Sequence, residues 1–175
     1  MLSLSVLGSG SSGNCTLARA GDDHFLVDCG LSARQIETRL AALGVAPSGL
    51  AGILLPHEHA DHAGGLKGCL RKFPVPVFCN AATARAVGDA IPPGRARIFQ
   101  TGHRFELGGV QVAAFAVPHD AVEPVGFRME CGGDSLAVVT DLGYATRLVH
   151  EALRGVRALV IEANYDDALL QNDTK

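Results

Sequence analysis

The sequence predicts a mixed α/β (α+β) fold in which two β-sheets are enclosed between helices, and three changes of texture along the chain lead to it. Short strand-like segments separated by glycine turns come first, strand and helix patterns then alternate as far as Gln100, and antiparallel hairpin signals take over from Phe105. Two sheets packed face to face, with helices on their outer surfaces, satisfy that order.

Leu2–Leu7, Cys15–Ala20 and His24–Asp28 read as short strands joined by turns at Gly8–Gly13 and Gly21–Asp23. At Ser32–Leu43 the period becomes helical. Ala33, Ile36, Leu40 and Leu43 share a face, Ser32 with Gln35 makes a capping box, and Gly44 closes the end. The apolar run Leu50–Leu55 has the length of a strand and suits one buried on both faces, which delivers the chain to His57. A helix is expected over Ala63–Phe73, a strand over Val75–Phe78, a helix over Asn80–Ala90 capped by Asn80, and a strand over Arg97–Gln100. After Phe105 the pattern predicts strands Val110–Val117, Val125–Glu130 and Leu136–Thr140, with a turn at Cys131–Asp134. Helix Thr146–Leu153, strand Ala158–Ile161 and a helix starting at Asp166 complete the expectation.

With 175 residues, 47% of them hydrophobic and 19% charged, the chain suits one domain (1–175) with a buried core, and disorder is excluded as its main character. No apolar run approaches the roughly 20 residues that span a bilayer. Met1–Leu7 lacks a basic region and runs into a glycine loop, as a first strand would and a signal peptide would not, so a cytoplasmic protein without membrane partners is expected. The five cysteines are odd in number, widely spaced and free of Cys-x-x-Cys pairs, and read as reduced core thiols. A net charge of -3 offers no global attraction to nucleic acid, so a polyanionic substrate must be drawn in by local positive charge, metal included.

His57-Glu-His59-Ala-Asp61-His62 is the sharpest chemical feature, because four potential metal ligands occur within six residues at the end of a buried strand. Residues i and i+2 of an extended segment project to one side, so His57 and His59 can grip one ion. Asp61 and His62 then turn into the next helix and can face a second ion, about 3.5–4 Å from the first in two-metal hydrolases. A polar loop that merely collects histidines is the competing reading, and three of the chain's seven histidines within one such window weigh against it. His119 and Asp141 sit at strand ends and fit the vacancies for a third ligand to the first ion and for a bridging carboxylate. Asp28 suits either a turn or the orientation of a ligand histidine. Glu58 reads as a solvated or supporting residue, and His24, His103 and His150 as structural.

Gly8-Ser-Gly-Ser-Ser-Gly13 matches the dinucleotide fingerprint, yet that fingerprint must open a helix and the following residues read as a strand. The loop is therefore either a flexible turn or a set of backbone amides able to approach a phosphate.

At His57–His62 and in its order of Asp28, His119 and Asp141, the sequence resembles the metallo-β-lactamase superfamily of metallohydrolases. The Gly8–Cys15 and Ile161-Glu-Ala-Asn164 segments look like its YycJ/WalJ-type exonuclease branch. The resemblance implies a four-layer αββα sandwich whose C-terminal part is incomplete. It also implies two divalent transition metal ions, zinc first with manganese or iron as alternatives. His57, His59 and His119 would hold one ion, Asp61 and His62 the other, and Asp141 would bridge. The implied chemistry is attack by a metal-bound hydroxide oriented by Asp61, the catalytic residue, on a phosphodiester in nucleic acid or a smaller substrate. Tyr165 stands where His is expected in this branch, and the sequence reaches Lys175 without the late histidine of the second site, which leads to an expectation of weaker activity. A thioester or lactam hydrolase on the same metals and a catalytically weak metal-binding domain are the alternatives. The expected absence of an export signal disfavours an exported lactamase.

Overall fold

A computed structural model describes residues 1–162. Strands β1 (Leu2–Gly8), β2 (Cys15–Ala20) and β3 (Asp23–Val27) form an antiparallel meander, to which β4 (Leu50–Leu54), β5 (Val77–Asn80) and β6 (Ala96–Phe99) add in parallel, in that order across the sheet. The second sheet contains β7 (Arg104–Leu107), β8 (Val110–Ala116), β9 (Val125–Cys131), β10 (Asp134–Val139) and β11 (Ala158–Ile161), in the order β11-β10-β9-β8-β7. Its pairs are antiparallel except β10 with β11. Helices α1 (Ala33–Ala42), α2 (Ala60–Ala63), α3 (Leu66–Lys72), α4 (Ala81–Val87) and α5 (Arg147–Leu153) connect them.

Alternation along the strands builds the layers. In β3, Phe25 and Val27 face the second sheet while Leu26 faces the helices. Around β4, Leu54 faces the second sheet while Ile53 and Leu55 face the helices. A strand covered on both sides needs apolar residues at every position, which is why Leu50–Leu55 carries no polar alternation. One core lies between the first sheet and Ile36, Leu40, Leu66, Cys69 and Leu70 of α1 and α3. A second fills the space between the sheets, with Phe25, Leu54, Phe127 and Met129 at its centre. The third packs Val149 of α5 on Phe115, Val117 and Val139. Three cores between four layers are the αββα sandwich, and each fully buried Leu or Phe contributes about 1.5–3 kcal/mol to it.

Local signals set most boundaries. The capping box at Ser32 is present, with Gln35 N donating to Ser32 Oγ, and Gly44 takes a left-handed φ of +70° just past α1. Asn80 Oδ1 accepts from Thr83 N at 2.8 Å and starts α4. Three expectations need correction. The helix expected over Ala63–Phe73 is two helices, α2 beginning at Ala60 and α3 ending at Lys72, broken at Gly64-Gly65 where a Cβ on Gly65 would lie 2.0 Å from the carbonyl oxygen of Leu31. The strand expected at Val75–Phe78 is Val77–Asn80, because the main chain of Pro76 and Phe78 pairs with Ile53 and Leu55. The helix expected to reach Ala90 leaves α geometry after Val87 for a 3-10 turn, Gly88–Ala90. The helix expected from Asp166 lies outside the described residues. Four of the five free cysteines are buried, and Cys131 is half-buried. Among the described residues no helix is long and apolar enough to cross a membrane.

Arg157 closes one end of the sandwich. It donates to both carboxylate oxygens of Asp134 on β10 and to the carbonyl oxygen of Leu2 on β1, while Leu2 N donates to Asp134 Oδ2 at 3.0 Å. The Arg157 guanidinium holds the Asp134 carboxyl down from 3.8 to about 2. A carboxyl whose folded pKa is depressed stabilises the fold above its unfolded pKa and loses that contribution as pH falls through the folded value. Thermal melts should therefore show Arg157→Ala less stable than wild type at neutral pH, with the difference shrinking between about pH 4 and pH 2. An unchanged melting temperature at pH 7 would contradict this role.

Candidate metal centre

The chain reaches the site through a pinned segment. Beyond β4, Leu55 N donates to Phe78 O at 2.9 Å, and Pro56 O accepts from Val125 N of the second sheet at 3.2 Å, so His57 emerges where the ends of both sheets meet. His59 precedes α2, and its carbonyl accepts from His62 N at 3.0 Å, so Asp61 and His62 lie in the first helical turn. His119 follows β8 and Asp141 follows β10. Gly143 N donates to Pro118 O at 2.9 Å and binds the Asp141 loop to the His119 loop. Glu58 Oε1 accepts from Val122 N at 2.9 Å and binds the His119 loop to the histidine motif.

These six residues converge into two groups. Ligand atoms of His57, His59, His119 and Asp141 form one, those of Asp61, His62 and Asp141 the other, and within each group they lie within 4.8 Å of one another. Asp141 is common to both. Its Oδ2 is 3.1 Å from His57 Nε2, 2.7 Å from His62 Nε2 and 3.5 Å from His119 Nε2. The donor set fits divalent transition metals, which favour imidazole and carboxylate together. One atom makes the fit specific: His57 Nε2 is buried and, although 3.1 Å from Asp141 Oδ2, makes no well-aligned hydrogen bond, whereas a buried polar nitrogen is ordinarily satisfied.

Supporting contacts fix the rings. His62 Nδ1 lies 2.7 Å from Asp28 Oδ1 with both side chains fully buried, which leaves Nε2 facing the cluster. Asp28 and Asp141 are the non-glycine residues with left-handed φ among the described residues, at +68° and +53°. That conformation is disfavoured for residues with a Cβ, and the bonds Asp28 N to Leu54 O (3.0 Å) and Asp141 N to Glu162 Oε2 (2.9 Å) hold it. Gly30 admits the closest approach: a Cβ there would lie 1.7 Å from the carbonyl oxygen of Asp61.

The charges follow from burial and pairing. Burial pushes the Asp28 carboxyl above the usual carboxylate range, against the pull of His62. Burial works against a charged His62, but hydrogen bonds to Asp141 and Asp28 outweigh it and raise its pKa to about 10. Asp141 is held well below the usual range, since its close contacts with His57, His62 and Glu162 overcome its burial. Burial lowers His119 and favours its neutral, ligating form.

Sequence reasoning named the six clustered residues and the neighbouring Asp28, and it missed two others. Asn14 Nδ2 is 3.3 Å from Asp61 Oδ2 and 3.2 Å from His62 Nε2, and Glu162 braces the Asp141 backbone. The Gly8–Cys15 and Ile161–Asn164 segments that carry the family resemblance contain both, which was the available signal. The Gly8–Gly13 loop opens strand β2 and not a helix, which removes the dinucleotide reading.

The sequence profile described as the beta-lactamase superfamily domain matches residues 23–173. Exodeoxyribonuclease YycJ of Bacillus anthracis is 35% identical over 173 residues, which cover 97% of this chain and 66% of that protein. Ribonuclease Z of Mycobacterium bovis is 30% identical over 179 residues, covering 81% of this chain and 63% of that protein. The chain thus spans just under two thirds of the length of these curated relatives. Among solved structures, a Cronobacter sakazakii metallo-beta-lactamase with the HARLDQ motif superposes with a TM-score of 0.69 at 24% identity, covering 89% of this chain and 73% of that one.

Asp28→Ala should leave His62 Nδ1 without its buried partner and weaken divalent metal uptake by about 10- to 100-fold. Competition against a chromophoric chelator measures this, and wild-type affinity in the variant would contradict the orienting role.

Proposed function

The chain belongs to the beta-lactamase superfamily, and on that premise we propose that it is a dinuclear-metal-dependent phosphodiesterase that acts as a nuclease, exonuclease-like on DNA. The observation that carries this reading is the Asp141 carboxylate shared by two ligand groups, the arrangement suited to two cations side by side. His57, His59 and His119 would hold one ion and Asp61 and His62 the other, with Asp141 between them. Three imidazoles suit zinc, with manganese or iron as alternatives. When bound, the cations supply Lewis acidity for activating water and neutralising charge that builds on a phosphoryl oxygen.

The chain's own residues do the rest. Asp61 is half-buried and held from one side, so its carboxylate is placed to orient a water and accept its proton. His62 is locked by Asp28, and its neighbours hold the Asp141 carboxyl well below the usual carboxylate range. The Gly8–Gly13 loop is bonded to this machinery through Asn14 N and Asp61 O at 2.7 Å, which puts its backbone amides beside the cluster as candidate phosphate contacts. Relatives named as an exodeoxyribonuclease and a ribonuclease support a nucleic-acid substrate. The likeness to a solved lactamase concerns the fold and brings no substrate with it. A nuclease acting on cellular DNA calls for the cytoplasm.

Zinc- or manganese-loaded protein should cleave labelled DNA and bis(p-nitrophenyl) phosphate, and Asp61→Ala should lower turnover by about 10²- to 10⁴-fold. Hydrolysis of thioesters or lactams by protein that leaves DNA, RNA and bis(p-nitrophenyl) phosphate intact would overturn the proposal.

A further inference from the structure

Asn14 is a buried polar side chain, 4% exposed, between the glycine-serine loop and the cluster. Its amide cannot be turned over without loss. Oδ1 accepts from Gly10 N at 2.9 Å, a contact the NH2 group cannot make, so Nδ2 must face the cluster. There Nδ2 lies 3.3 Å from Asp61 Oδ2 and 3.2 Å from His62 Nε2. The backbone repeats the connection: Asn14 N donates to Asp61 O at 2.7 Å, and Asn14 O accepts from Gly30 N at 2.9 Å.

We propose that Asn14 is a positioning residue that fixes the Asp61 carboxylate by donating to Oδ2, and thereby ties the second ligand group to the Gly8–Gly13 loop. The proposal rests on the reading of Asp61 and His62 as metal ligands. His62 Nδ1 is committed to Asp28, so with a cation on Nε2 the Asn14 amide keeps Asp61 Oδ2 as its acceptor and leaves Oδ1 to face the ion or a water. Among the described residues the hydrogen bonds of His57, His59 and His119 do not involve Asn14, so its direct effect falls on the second group. The loop and Asp61 are thereby coupled through a single residue: what orders the Gly10–Asn14 contact also orders the carboxylate.

The test is titration of Co²⁺ into metal-free wild type, Asn14→Ala and Asn14→Asp, followed by visible absorption and by chelator competition, without substrate. Asn14→Ala should bind the first equivalent as wild type does and the second about 10- to 100-fold more weakly. Asn14→Asp keeps the acceptor for Gly10 N and loses the donor, so its second-equivalent spectrum should differ from wild type. Its kcat on bis(p-nitrophenyl) phosphate should fall more than its KM changes. If Asn14 only held the loop, Asn14→Ala would bind both equivalents with wild-type affinity and spectrum, and that result would overturn the proposal. Equal weakening of both equivalents in Asn14→Ala would overturn it too. Wild type that takes up no Co²⁺ would instead remove the metal reading on which the proposal stands.

Discussion

The buried hydrogen bond between His62 and Asp28 is the constraint on which the site depends. Both side chains are fully inaccessible, and breaking such a pair by removing one partner typically costs about 3–5 kcal/mol, so neither ring nor carboxylate has an alternative home. The bond joins the end of β3 to the start of α2, and the backbone bonds Cys29 N to His62 O (2.7 Å) and Gly65 N to Cys29 O (2.8 Å) run beside it. With His62 fixed, its Nε2 meets Asp141, and Asp141 in turn gathers His57 and His119. Strain is placed at the same spots: the two left-handed aspartates are the two carboxylates that approach His62 most closely, each at 2.7 Å.

The architecture makes this convergence possible. Strands β3 and β4 of one sheet and β8 and β10 of the other all end at the same edge of the sandwich, so residues far apart in sequence arrive there on short loops. Apolar packing between the sheets sets the distance between those ends, and loop-to-loop bonds at Glu58 and Gly143 trim it. A rigid scaffold carrying functional loops is the general solution for holding ligands without the cost of ordering them at each binding event.

Local information in the sequence was enough for the elements whose causes are local. Helix α1 carries its own cap, apolar face and terminal glycine, and the run Leu50–Leu55 announces burial on both faces. The histidine motif was legible for the same reason, since four of its ligand types fall within one short segment. What depends on distant partners was not legible. Asn14 acquires its place from contacts 47 and 48 residues away. The break between α2 and α3 follows from the carbonyl of Leu31 pressing on Gly65, and the start of β5 from its pairing with Ile53 and Leu55. Gly30 gave no sign that it must admit the Asp61 carbonyl, because a close approach leaves no pattern in composition or periodicity.

Under the proposed function one cluster would hold two cations with Asp141 between them. Anomalous diffraction from crystals grown with zinc, measured above and below the zinc absorption edge, tests it most directly. Two peaks about 3.5–4 Å apart are expected, one among His57, His59 and His119 and one beside Asp61 and His62. No anomalous peak within coordinating distance of these residues, in crystals whose zinc content is verified, would contradict it.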